Sequence, residues 1–412
     1  MKVNFLCLKM INRRVFITLI ASLFILELNA QDSLSAKHSI QKPSILSTHV
    51  FGIFISRLEA NFSNQSIDKT SLQVDHQSAN VWGQPVENFI PNTAELRNKV
   101  SAFPWHTRES VVDRNDENFA RSTDNFKIAY DGVIKGLKAN LKIPLDQQNQ
   151  LGIELRSFML TEGKFPFSFL TGDDFIEGFH SNIAGGEDPF QRREFGLNQA
   201  KIFYKDRQGR VMEINKNDVL FGGLKINYTH YLKNLSPFGF SLNLGLHTGF
   251  NLSPYNKSLD LGFTANAIRI FDLDDRHFFQ LGIGIGYLDL NTASFSDNNI
   301  QFATQNYFYN LETAFSFNII NKSNQMHSFG IDFYLQTSYH NPDEFDYSIL
   351  FRNDLADRTW HHRASHLYRN NNYWTFFYAF TEKNSFRIYL QQDLRLNNNP
   401  DLQTGIGYVI SF

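Results

Sequence analysis

The chain has 412 residues, with 39 lysines and arginines against 41 aspartates and glutamates, for a formal net charge of −2. That balance argues against a nucleic-acid partner. Aromatics reach 15%, including 41 phenylalanines, yet mean hydropathy is −0.33; apolar and polar positions must be segregated, as in a transmembrane β-barrel.

At the start, Lys2, Lys9, Arg13 and Arg14 precede an apolar run from Val15 to Leu28, and Leu28-Asn29-Ala30 ends on a small residue. This layout predicts a secretory signal peptide over residues 1–30. A membrane anchor is the alternative, but the run contains Glu27 and is shorter than the roughly 20 residues a spanning helix needs. The single cysteine, Cys7, lies in the segment to be removed. The mature chain then has no thiol for disulfides or thiolate metal sites. Residues 31–48 are expected to be an N-terminal periplasmic segment and 49–412 an outer-membrane barrel.

Period-two alternation predicts about twelve strands. They lie near 49–62, 127–143, 151–162, 217–231, 238–249, 258–270, 276–289, 305–319, 327–340, 372–381, 384–395 and 402–412. The first is the least regular, and residues 65–76 offer another strand or hairpin arm. Connections alternate in length: 144–150, 232–237, 271–275, 320–326 and 382–383 are short. Between them fall 63–126, 163–216, 250–257, 290–304, 341–371 and 396–401, three of them very long. Short periplasmic turns and longer external loops are the barrel pattern, with both ends periplasmic. A periplasmic β-sandwich with a Phe-rich core has no reason to alternate so.

Strand parity turns Lys138, Lys142, Glu154, Arg156, Asp260, Glu312, Asp332 and Arg387 inward, away from hydrocarbon where charge is costly. They fit either a salt-bridged filling or the lining of a narrow channel or ligand cavity. In 163–216, Phe165-Pro166-Phe167-Ser168-Phe169 precedes Asp173-Asp174-Phe175-Ile176-Glu177-Gly178-Phe179-His180. Asp173 or Asp174 can cap a short helix carrying Phe175 and Phe179. Residues 199–214 read as a hairpin turning at Asp206-Arg207-Gln208-Gly209. Asp173, Asp174, Glu177, His180 and Arg192 are expected to form a polar cluster over the barrel mouth. The aromatics, Phe190 among them, should pack there, near Lys138, Lys142 or Arg156.

The stretch Asp174 to His180, the pair Gly185-Gly186 and the later Arg207-Gln208-Gly209-Arg210 resemble an uncharacterised family of Gram-negative outer-membrane proteins, a domain of unknown function. The resemblance spans roughly 165–225 and implies a barrel without an assigned activity. The family pattern has a longer spacer before the Gly pair and an arginine after it; here the spacer is Ser181-Asn182-Ile183-Ala184 and Glu187 follows. His180 and Ser181, with Glu177, also invite comparison with barrel lipid hydrolases. Those enzymes space their His and Ser two apart on a strand, so that base and nucleophile share a face. Here His180 and Ser181 are adjacent and would face opposite sides of a strand, so an outer-membrane acyl hydrolase stands second to a non-enzymatic barrel.

Gly282, Gly284 and Gly286 share one face of a single strand, which is not a nucleotide loop. In 341–371, His361, His362 and His366 lack the glutamate of a zinc-protease motif and lie among arginines, so a solvated basic loop near lipopolysaccharide phosphates is expected. The chain ends with Leu402, Ile406, Tyr408, Ile410 and Phe412 on one face and Gln403, Gly405 and Gly407 on the other. This run resembles the C-terminal strand read by the barrel assembly machinery. The expectation is an all-β barrel in the outer membrane, a narrow pore or ligand-binding channel gated or plugged by loop 163–216. Its partners are outer-membrane lipids and lipopolysaccharide, and no cofactor or metal is expected.

Overall fold

The computed structural model describes residues 37–46, 50–86, 88–90, 127–164, 168, 170–184, 197–206, 208–233, 236–302, 304–337, 347–349, 371–393 and 402–412. The expected signal peptide, Gly185-Gly186, Arg192 and the histidines of 341–371 lie outside them. Strands β1 (Ser71–Val86), β2 (Asn88–Ile90), β3 (Lys127–Pro144) and β4 (Asn149–Thr161) come first. Helix α1 (Asp173–Phe179) and the hairpin of β5 (Lys201–Lys205) and β6 (Val211–Ile214) follow within the long loop. Then come β7 (Val219–Leu232), β8 (Ser241–Ser253), β9 (Asn256–Asp272), β10 (His277–Ser294), β11 (Tyr307–Ile320) and β12 (Met326–Gln336). The last are β13 (Tyr347–Ile349), β14 (Asn371–Thr381), β15 (Ser385–Asp393) and β16 (Leu402–Ser411).

Twelve of these strands close into an antiparallel barrel. β1 makes the closure, pairing with β16 from Ser71↔Ser411 to Ala79↔Gln403 and with β3 from Ser71↔Lys142 onward. β5 and β6 extend the wall beyond β3, and β2 pairs with β13 in a separate two-stranded sheet. No helix among the described residues is long and apolar enough to cross a membrane. The barrel crosses with strands instead: Leu155, Phe263, Ile285, Phe329, Phe376, Ile388 and Ile406 are exposed on its outer face. Closure leaves no unpaired strand edge in hydrocarbon.

The short turns β3–β4, β7–β8, β9–β10, β11–β12 and β14–β15 lie at the end that carries β1's start and β16's finish. Two are fixed by an aspartate. Asp146 accepts from the Asn149 amide and the Gln148 N–H; Asp274 accepts from the Arg276 N–H and the His277 ring. These bonds hold both carboxyls below their ordinary range. A depressed carboxylate stabilises the turn at neutral pH, and the contribution disappears as pH falls through the lowered value.

The first strand differs from expectation. Residues 50–62 form no strand beyond one 3-10 turn at Gly52–Phe54, and the wall begins at Ser71. The 250–257 connection also shrinks, because β8 and β9 continue to Ser253 and Asn256. Residues 37–46, expected to lie outside the barrel as a periplasmic segment, enter it. Together with residues 50–66 they make a hairpin inside the lumen: Ile40 donates to Phe62 O at 2.9 Å and Asn64 to His38 O at 3.0 Å, around the Ser39↔Ser63 bridge.

Candidate functional site

The lumen is occupied, and the hairpin arms 38–46 and 50–66 are what occupy it. A backbone taken out of water must find partners for its N–H and C=O groups. Here the barrel's inward side chains supply them. On the ascending arm, Leu46 N–H donates to Gln403 Oε1 at 3.0 Å, and Gln77 donates to Ser44 O at 2.7 Å. On the descending arm, Ser56 N–H donates to Asp260 Oδ2 at 2.8 Å and Ala60 N–H to Glu312 Oε2 at 2.7 Å. Asn243 donates to Asn61 O and Ser63 O, each at 2.9 Å, and Asn256 to Phe54 O at 3.0 Å. The donors and acceptors come from strands all around the wall.

The inward charges pair largely with the hairpin. Lys42 forms an ion pair with Glu312 and lies over the Phe62 ring. Lys138 meets Glu59 at 3.1 Å, and Glu59 also accepts from the Ile45 N–H. Glu154 pairs with Lys225 at 3.1 Å, while Lys225 donates to Arg57 O. Arg156 donates to Asn251, whose amide reaches Asp260 at 2.7 Å. Arg387 donates to Lys42 O and Gln41 Oε1 at 3.1 and 2.8 Å. Asp332 is buried on β12, opposite Ala314 of β11, and Lys142 lines a cavity beside the hairpin. A buried ion pair roughly offsets its own desolvation. These groups therefore fix the hairpin's register more than they add net stability.

Parity revealed the wall charges but not their partners, Lys42, Glu59 and Lys225. One signal was available. A Cβ built on Gly282 would fall 2.5 Å from the Phe62 ring, one on Gly284 2.5 Å from Ala60 Cβ, and one on Gly286 3.0 Å from Leu58. The glycine stripe on β10 is the groove into which the descending arm fits. Glycine inside a strand marks such close backbone approach.

The mouth opposite the short turns at β1's start is sealed differently, by an apolar core. The hairpin tip brings Val50, Phe51, Ile53 and Phe54 against Ile202, Tyr204, Met212 and Ile214 of the β5–β6 hairpin. Phe302 completes it: its ring lies 4.9 Å from Phe51 and stacks on Phe54 at 5.4 Å. Asp206 holds the β5–β6 turn, accepting from Gln208 and Arg210 N–H groups at 2.9 and 2.8 Å and from Gln301 N–H at 3.1 Å.

Within the long loop, Thr171 is buried against β1: its hydroxyl lies 2.6 Å from Ser78 Oγ, and Asn80 donates to its carbonyl at 3.0 Å. Asp173 accepts from Asn80 and from Asn198 N–H, both at 2.8 Å, so this face of α1 turns inward with Ile176 and Glu177. Asp174 is exposed and accepts weakly from Asn198 at 3.4 Å. Phe175 and Phe179, expected to pack at the mouth, stack on each other at 6.5 Å but stay 42% and 44% exposed. Their i, i+4 spacing puts them opposite the face that Asp173 anchors. Lys138 does not reach the loop acids, being held by Glu59. Ser181 lies half-buried in the π-turn His180–Ala184 beyond α1, and the side chains of His180 and Arg192 lie outside the described residues, as do Phe165, Phe167, Phe169 and Phe190. No cluster of three or more metal-ligating side chains occurs among the described residues.

No family model matches the sequence, and neither does any curated protein. Among solved structures, an outer membrane channel from Pseudomonas putida F1 is 10% identical, with 84% of this chain and 95% of that one covered and a TM-score of 0.37. LpxR from Salmonella typhimurium is 6% identical over 83% of this chain and 100% of that one, with a TM-score of 0.35. The NanC porin is 8% identical over 68% and 93%, with a TM-score of 0.33. All three are outer-membrane proteins; at such scores the likenesses carry no argument about role.

Proposed function

We propose that this protein is an outer-membrane β-barrel that works as a ligand-binding channel, closed by its own N-terminal hairpin and capped at the outer mouth by the β5–β6 hairpin of loop 163–216. The apolar outer face of a closed barrel supports the location. The observation that carries the closed-channel reading is the nature of the hairpin's hold on the wall. Along most of the lumen it is side chain to backbone, as at Gln403, Asn243, Asp260 and Glu312. Water can replace such bonds one for one when the hairpin moves, so each costs about 0.5–1.5 kcal/mol net to exchange, and about 1.5–3 kcal/mol where the acceptor is a carboxylate. An apolar core of equal length would resist displacement far more. A smaller apolar cluster inside the lumen joins Ile40, Ile45, Ala60 and Phe62 to Ile268, Ala314, Phe377 and Tyr389, but the larger apolar core is at the mouth, which makes that cluster the latch.

Purified protein in planar bilayers is expected to be closed at rest and to open reversibly when urea is added below the concentration that unfolds the barrel. The same preparation should migrate faster on gels unboiled than boiled and fractionate with the outer membrane. Steady conductance without urea, or silence at every sub-denaturing concentration, contradicts the closed-channel reading. Recovery in the soluble periplasm contradicts the location.

A further inference from the structure

Two cavities lie between the hairpin and the wall toward the end that carries β1's start and β16's finish. Their volumes are about 140 and 80 Å³. Lys142, Arg387, Gln73, Ser39, Ser63 and Ile67 line both. The smaller also touches the β14–β15 turn at Thr381–Ser385, where Glu382 and Lys383 offset each other, so the pair forms a vestibule facing that end.

The charges around this vestibule do not cancel. Lys42 is paired with Glu312, Lys225 with Glu154, and Lys138 with Glu59. Arg387 reaches Asp75 only through Gln73, which accepts from the guanidinium at 3.2 Å and donates to the carboxylate at 2.8 Å. Lys142 makes no hydrogen bond or ion pair among the described residues, although it borders both cavities. Arg387 is only 8% exposed, and its Nε–H has no acceptor. The Lys142 ammonium and the Arg387 side chain line the same polar space, and neither touches a carboxylate among the described residues; two such cations suit an acceptor-only, negatively charged guest. At about 30 Å³ per water, the space takes a few waters or one small anion.

From these observations we infer that the vestibule is a binding site for a small oxyanion of phosphate or carboxylate size, held by Lys142 with the charge of the Arg387 guanidinium beside it. The site rests on the ligand-binding reading above and gives that reading a ligand class. It also sits against Lys42 and Gln41, whose backbone and side chain Arg387 holds. An occupied site therefore bears directly on the ascending arm of the hairpin.

Titration calorimetry of the full barrel in detergent, with inorganic phosphate or acetate as titrant and chloride at matched ionic strength as control, tests this. Wild type is expected to bind phosphate or acetate saturably and chloride not. Lys142→Met should weaken that binding about ten-fold or more, and Lys142→Arg should restore most of it. Heat-dependent gel mobility would establish that each variant is folded. Equal binding by wild type and Lys142→Met, binding reproduced by chloride, or no saturable binding by wild type overturns the inference. Because the readout is binding to the closed barrel, it stands apart from conductance. A barrel that opens in urea but binds no oxyanion refutes only the site, and one that binds but never conducts refutes only the channel.

Discussion

Deleting residues 38–66 is expected to turn a closed barrel into a conducting one. The wall does not depend on that segment: β1 pairs with β16 and with β3 through its own residues, starting at Ser71. Removal would expose Glu312, Asp260, Lys138 and Arg387 to water, where each regains solvation in place of a hairpin partner. A twelve-stranded wall encloses a wider lumen than the eight-stranded barrels that side chains alone can fill. Mean single-channel conductance should rise at least about ten-fold over the full-length protein. The check is recording both proteins in the same bilayer, after confirming that the deleted form keeps its heat-dependent gel shift. A folded, shifting, but silent deletion would mean that the long loop alone closes the barrel.

Replacing Phe54 by Ala should release the latch without breaking the wall. Phe54 is fully buried and sits in three ring contacts: stacked on Phe302 at 5.4 Å, and edge-on to Phe158 at 5.6 Å and Tyr255 at 5.8 Å. Truncating a core phenylalanine costs about 3–5 kcal/mol, because both transfer energy and packing are lost. That loss falls on the hairpin tip and the mouth, not on strand pairing. The expected outcome is a channel that opens at markedly lower urea, while the temperature at which the barrel loses its gel shift stays nearly unchanged. Phe175→Ala, on the exposed face of α1, should leave both measurements unchanged and serves as the matched control. Equal effects from the two substitutions would show that the mouth core is not the latch.

The barrel was legible in the sequence where one face meets lipid and the other meets polar groups. β10, β11 and β12 fall within a few residues of their predicted places, because period two is strong where Ile283, Phe315 and Ile331 face out and Gln280, Glu312 and Asp332 face in. β1 was harder to see. Its inward residues Gln73, Asp75 and Gln77 are matched outward only by Leu72, Val74 and His76. Upstream, Val50, Phe51, Ile53, Phe54, Leu58 and Phe62 give the more apolar pattern, which reads as a strand. Those residues are apolar because they are enclosed on every side in the lumen and at the mouth. Alternation cannot separate a strand buried on one face from a coil buried on all faces. The inward charges were placed by parity alone. What they touch depends on a segment more than two hundred residues away in the chain for Ala60 and Glu312, and no local pattern reports such a pairing.

Hydrogen exchange of the hairpin amides tests the central claim most directly. The N–H groups of Ile45, Leu46, Ser56 and Ala60 donate to Glu59, Gln403, Asp260 and Glu312 inside the lumen. If residues 38–66 fill the barrel, peptides covering them should exchange about as slowly as those from β10 and β11, and acid-quenched samples of the full-length protein would retain the label together. Exchange within seconds, while the wall strands stay protected, would place the segment outside the lumen and contradict the plugged barrel.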